Sequence, residues 1–205
     1  KESIFTRERS KCVDLPPFTR LFKDVELDKK ELGLYHDSLR KLKADYYRRL
    51  NAGEIKTGGE HMVFLSHARR CSSLAKLPYA LDLIEEIVGG NSQVIVFSWY
   101  KDVVEHLAKK LNCRTITGDT ANNLRQPFVD EFQEGKKKII CNTFGAGGVG
   151  LNMQAADYLL LIDRNYVPAD YEQAEGRSFR IGQTKPVTSL WMNFVHTDTD
   201  RVIDQ

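Results

Sequence analysis

Over the second half of the chain, short and nearly uninterrupted apolar runs alternate with longer segments of helical spacing. Val94–Ser98 is apolar and β-branched, and Lys101–Leu111 follows with Val104, Leu107, Ala108 and Leu111 on one helical face. Residues 114–117 predict a second strand, closed by Gly118-Asp119, and residues 124–133 a helix with Phe128, Val129 and Phe132 together. Residues 138–142, 158–163 and 188–194 predict three further strands. Strands that are apolar throughout and joined by helices predict an α/β fold whose parallel sheet is covered on both faces.

The front of the chain is patterned differently. Residues 18–27 are extended after the stiff Pro16-Pro17 pair. Residues 28–50 predict a long charged helix with Leu32, Leu39, Leu42 and Tyr46 as its apolar positions. A glycine-rich break follows at 53–59, and helix resumes over 62–74, which makes a helical hairpin appended to the sheet. Charge runs such as Arg40 to Lys43 read as a solvated helix face. The divisions are therefore an opening strand segment at 1–26, the hairpin at 27–76, the sheet domain at 77–196, and the start of a truncated helix at 197–205.

Composition narrows this only a little. Hydrophobic residues are 41% and charged residues 28% of the 205, the mix of an ordinary globular protein. Lys+Arg at 30 against Asp+Glu at 28 leaves a net charge of +2, so any basic face for nucleic acid has to come from local placement. No apolar run approaches the ~18 residues of a membrane span. Cys12, Cys71, Cys113 and Cys141 form no C-x-x-C pair, and the absence of an apolar leader fits an intracellular, reduced protein. His67 and Cys71 stand one helical turn apart, but no second ligand pair completes a tetrahedral metal site.

Two segments carry candidate chemistry. Residues Gly145 to Gly150 spell G-x-G-x-x-G after a strand, with Asp163 ending the next one, which matches a dinucleotide fingerprint as a string. A helix between Val149 and Ala155 would have only about two turns, too few to cross back over a Rossmann sheet. Leu151-Asn152 stand where a phosphate-binding loop needs Lys and Ser/Thr, so the β/γ-phosphates have no cation there. Glycines still let backbone N–H groups converge on a ribose or phosphate. In the second segment, Gln173 to Gln183, Arg177 and Arg180 are spaced i, i+3, so a helix would project both guanidinium groups from one side with Gln173 one turn before. Two planar cations aimed at one point suit a triphosphate; an exposed helix pairing them with Glu172 and Glu175 fits the same spacing.

Taken in order, Val94 to Ser98, Thr117-Gly118, Ala146 to Asn152 and Gln173…Arg177…Arg180-Ile181-Gly182-Gln183 resemble motifs IV to VI of superfamily 2 helicases, specifically the Swi/Snf-type remodelling ATPases. Leu15-Pro16-Pro17 and the hairpin resemble that family's interlobe junction and protrusion. The resemblance implies a second RecA-like lobe over 77–196, with helices on both faces of a parallel sheet. It implies ATP with Mg²⁺ in a cleft against a first lobe, and double-stranded DNA tracked across both lobes without sequence preference. By position it implies Arg177 and Arg180 as catalytic arginines, and Gly148, Gly150, Asn152 and Gln173 on the ATP side. Ser98, Trp99, Thr117, Gly118 and Thr143 would meet DNA phosphates. The metal ligands and triphosphate loop would lie on the absent first lobe. Localisation would be nuclear in a eukaryote and cytoplasmic in a bacterium or virus. Two positions depart from the family: Thr143-Phe144-Gly145 where Ser-Thr-basic is usual, and Tyr166-Val167-Pro168 where Trp-Asn-Pro is usual. A non-catalytic DNA- or protein-binding lobe is the alternative reading.

Overall fold

In the computed structural model residues 15–54, 59–147, 151–163 and 168–195 are described. Six strands form one all-parallel sheet: β1 (Phe18–Val25), β2 (Val94–Ser98), β3 (Arg114–Ile116), β4 (Ile139–Thr143), β5 (Tyr158–Leu161) and β6 (Val187–Phe194). Their spatial order is β1-β6-β5-β2-β4-β3. β2, at the centre, is buried at all five positions, as its apolar run predicts for a strand covered on both faces.

Side-chain alternation along the strands separates two cores. Val94, Val96, Leu160, Ile162, Leu190 and Met192 point to one face, under α3 (Leu77–Gly89) and α4 (Lys101–Leu111). Ile95, Phe97, Leu159 and Leu161 point to the other, under α5 (Asn122–Gln133) and α7 (Pro168–Glu175). The crossovers β1→β2 and β2→β3 use the first face, whereas β3→β4, β4→β5 and β5→β6 run the opposite way across the sheet over the second. All five therefore share one hand, as parallel crossovers require. The direction reverses between β2 and β5, where an open α/β sheet leaves a crevice at its carboxyl edge.

The hairpin consists of α1 (Lys29–Asn51) and α2 (Gly59–Ala75). Asp28 caps α1 reciprocally: Glu31 N–H donates to Asp28 Oδ1 at 2.7 Å and Asp28 N–H to Glu31 Oε2 at 3.2 Å. Tyr35 anchors the base of α1, edge-on to Phe194 at 5.0 Å, and Tyr46 meets Phe64 of α2 at 5.4 Å further out. Sequence periodicity missed α3, which follows α2 after one residue, Lys76. That lysine is wholly buried, and its Nζ donates to Ile162 O (3.1 Å) and Met192 O (2.9 Å), pinning the hairpin's end to the carboxyl ends of β5 and β6. A single turn, α6 (Phe144–Gly147), follows β4, and residues 151–153 are irregular. The tail at 197–205 lies outside the described residues. No helix among the described residues is long and apolar enough to cross a membrane.

Candidate functional site at the carboxyl edge of the sheet

Strand ends bring most of the expected positions to one edge. Ser98 ends β2 and Trp99 follows it, Thr117 and Gly118 follow β3, and Thr143 ends β4. At the β2/β5 crevice Asp163 accepts the Ser98 hydroxyl at 2.5 Å and the Trp99 N–H at 2.9 Å. Burial pushes the Asp163 carboxyl up, and the Ser98 hydroxyl, the Trp99 N–H and the Lys76 cation partly offset that shift. Ser98, expected to offer its hydroxyl to a phosphate, is instead wholly buried with that hydroxyl committed to Asp163. Its place in this fold is to orient the crevice from inside. Thr117 is likewise buried: its Oγ1 accepts Asp119 N–H at 3.3 Å and its N–H donates to Thr120 Oγ1 at 2.9 Å. Gly118 is exposed at the tip of that turn and Thr143 is half-buried.

Trp99 and Phe144 explain one departure from the family pattern. Phe144 stands where a threonine is usual, with Gly145 at the basic position, and its ring stacks between Trp99 (5.0 Å, 20°) and Phe97 (5.4 Å, 28°). Tyr171 meets it edge-on at 5.7 Å. The position is an aromatic packing centre that ties β2, α6 and α7 together. Tyr166 and Val167, the second departure, lie outside the described residues, as do Gly148 and Gly150.

The arginines do not ride on a regular helix as their spacing predicts. α7 ends at Glu175, and Arg177 and Arg180 lie in the turns that follow. Phe179 N–H still donates to Glu175 O (2.9 Å), Arg177 N–H to Ala174 O (3.1 Å), and Gln183 N–H to Arg180 O (3.0 Å). Gly182 closes the segment at φ +99°, a conformation costly for any residue with a Cβ. Burial and the neighbouring Arg180 cation both pull the Arg177 guanidinium below its ordinary range. Arg180 Nη1 donates to Asn152 Oδ1, which joins an expected catalytic residue to an expected ATP-side residue. Asn152 and Gln173 are both exposed.

Two supports of this turn went unread in the sequence. Gln183 is buried and saturated: Nε2 donates to Gln154 O (2.8 Å), Ser178 O (3.2 Å) and Ala156 O (3.3 Å), while Oε1 accepts Thr184 N–H (2.9 Å) and Lys185 N–H (3.0 Å). It staples the arginine turn to the loop before β5. The second support comes from the opening strand. Arg20 on β1 forms a fork with Glu175, Nε to Oε1 at 2.9 Å and Nη2 to Oε2 at 2.5 Å, and Phe18 stacks on Phe179 at 4.7 Å. Glu175, a candidate partner for Arg177 and Arg180, is therefore held by Arg20. Among the described residues no group of three or more His, Cys, Asp or Glu could hold a metal ion, so His67 and Cys71 gain no further ligand.

Comparison with known proteins agrees with this architecture. The helicase conserved C-terminal domain family matches residues 75–182, more than half of the chain. ATP-dependent helicase fft1 of Schizosaccharomyces pombe is 30% identical over 150 residues, covering 70% of this chain and 15% of its own length. Protein CHROMATIN REMODELING 19 of Arabidopsis thaliana is 34% identical over 125 residues, 58% of this chain and 16% of that protein. The chain thus spans only about a sixth of these relatives. The C-terminal part of the Fun30 ATPase domain superposes with a TM-score of 0.71 at 18% identity, covering 93% of this chain and 89% of that one. The Sulfolobus solfataricus SWI2/SNF2 ATPase core, solved with double-stranded DNA, superposes with a TM-score of 0.70 at 21% identity, covering 97% and 45%. The RecA-like parallel sheet, the motif order and the family match together place this chain in the helicase conserved C-terminal domain family, as a C-terminal lobe of the Swi/Snf type.

Proposed function

We propose that this chain is the second motor lobe of an ATP-dependent double-stranded DNA translocase, supplying Arg177 and Arg180 to a nucleotide gripped mainly by a first lobe. The observation that carries this reading is the turn after α7. It buries Arg177 three residues before the half-buried Arg180, bonds Arg180 to Asn152, and engages Glu175 with Arg20. A polyanion between two confined cations relieves their repulsion, and guanidinium forks suit phosphate oxygens. Ile181, 71% exposed beside Arg180, provides apolar surface for a facing lobe.

In this reading ATP is the substrate and Mg²⁺ its counterion, held by groups of the first lobe. During phosphoryl transfer negative charge spreads over the equatorial oxygens, and arginines already fixed by the turn stabilise it without reorganising. Gly118 and Thr143, at the same edge, are placed for backbone and hydroxyl contacts with DNA phosphates, which position a duplex without reading sequence. Curated relatives bear the names of ATP-dependent helicases and chromatin remodellers, which supports the assignment and suggests a nuclear setting in a eukaryote.

The test is the nucleotide turnover of the chain by itself and after joining to a first lobe that carries a triphosphate-binding loop. The chain alone should show no measurable DNA-stimulated hydrolysis, and turnover should appear in the joined protein. DNA-stimulated turnover by the isolated chain, or none in the joined protein, would count against the half-site assignment.

A further inference from the structure

Away from the carboxyl edge, two thiols meet in the first core. Cys113 lies between α4 and β3, and Cys141 is central in β4, the neighbouring strand. Their sulfurs are 3.5 Å apart, and both cysteines are reduced. Cys141 is wholly buried, whereas Cys113 is half-buried, so a small reagent from solvent meets Cys113 first.

Local chemistry divides the roles further. Hydrogen bonding with Cys141 holds the Cys113 thiol below its ordinary range, burial opposes this, and the Lys137 cation assists. Lys137 is fixed nearby, its Nζ donating to the carbonyl of Asn112 at 3.3 Å. The carbonyl end of α4 would disfavour a thiolate, but Lys109 and Lys110 in its last turn oppose that field. Cys141 is pushed well up by its bond with Cys113 and by burial, and Cys71, one turn before the end of α2, is also pushed up by burial. One accessible, ionisable thiol against one buried, protonated thiol is the arrangement of a peroxidatic and resolving pair.

We propose that Cys113 and Cys141 form a peroxide-reactive dithiol site, with Cys113 as the attacking sulfur and Cys141 as the resolving one. The Cys113 thiolate attacks one oxygen of hydrogen peroxide, the O–O bond breaks, and hydroxide leaves to take up a proton as water. Cys113 is then a sulfenic acid. The Cys141 sulfur attacks that sulfur, its own proton goes to the departing hydroxyl, and a second water leaves. Two thiols and one peroxide become one disulfide and two waters. The sulfurs have to approach by roughly 1.5 Å to reach bonding distance.

The experiment uses the chain as it stands. It is exposed to hydrogen peroxide, unfolded in an alkylating reagent, and digested without reductant for mass spectrometry. A cross-linked pair of peptides joining Cys113 to Cys141 is expected as the main product. In the untreated protein, alkylation of the half-buried Cys113 should outpace that of the wholly buried Cys141. Cys141→Ala should stop cross-linking and leave a sulfenic acid at Cys113 that dimedone traps. Should that variant fail to fold, the wild-type cross-link and the alkylation ratio still decide the matter. Absence of the 113–141 cross-link, or preferential oxidation of Cys71, overturns the proposal.

Discussion

Arg20→Ala withdraws the fork from Glu175 and leaves a carboxylate that is only 6% exposed without its cation. Breaking a fully buried ion pair costs about 3–5 kcal/mol, and an exposed pair contributes under ~1 kcal/mol. The Arg20 side chain is 49% exposed, so water can partly replace it, and the cost falls between those limits, at about 2–3 kcal/mol. Part of that is the guanidinium's contact with the rings of Phe18 and Trp191, whose centroids lie 5.9 and 5.8 Å away. For a domain of this size the thermal midpoint should fall by about 4–12 °C. Glu175→Gln should cost less, because it leaves no buried charge. The double variant should cost less than the sum, with a coupling of about 1–2 kcal/mol. Circular dichroism melts of the four proteins give the cycle, and amide exchange of residues 178–182 reports on the turn. That exchange should quicken in Arg20→Ala more than exchange in β2. Additive single effects, or an arginine turn whose exchange is unchanged, would refute the idea that β1 braces it.

Other perturbations follow from the same structure. Lys76→Met deprives Ile162 O and Met192 O of a charged donor in a wholly buried place; the expected loss is roughly 2–4 kcal/mol in denaturant unfolding, reduced from the full hydrogen-bond cost because a buried charge also disappears. Gly182→Ala forces a side chain into φ +99° with its Cβ 3.0 Å from Gln154 Nε2, and should destabilise by about 1–3 kcal/mol in the same assay while loosening the arginine turn. Binding of two unrelated duplexes should be equally weak and should fall steeply between low and moderate salt; a preference above about tenfold that survives high salt would indicate base readout instead.

The sheet was legible because parallel strands buried on both faces must be apolar throughout, as 94–97 and 159–162 are. The span of α1 was legible from the charged helical pattern over 28–50, whereas the capping box of Asp28 and Glu31 went unread. α3 was not: its apolar positions follow α2 after a single lysine, and nothing in the string says that Lys76 is buried against two carbonyls. The site was legible as motifs but not as supports. Spacing put Arg177 and Arg180 on a helix, whereas the regular helix ends at Glu175 and the chain continues in turns held by Gln183. The Arg20–Glu175 fork joins residues 155 positions apart, a pairing that only the β1–β6 register creates. Ser98 and Thr117 were named as DNA contacts through the family resemblance, and nothing in the string says that both side chains are buried.

The central claim concerns what Arg180 does when a first lobe brings nucleotide to it. DNA-stimulated ATP hydrolysis of the joined two-lobe protein should fall by on the order of 10³–10⁵ in Arg180→Ala, the range an arginine finger contributes. DNA affinity should be nearly unchanged, and Arg180→Lys should recover little, because an ammonium cannot reproduce the planar fork. If Arg180→Ala turns over ATP as fast as the unaltered protein, the arginine turn is structural and the account of this lobe's function is contradicted.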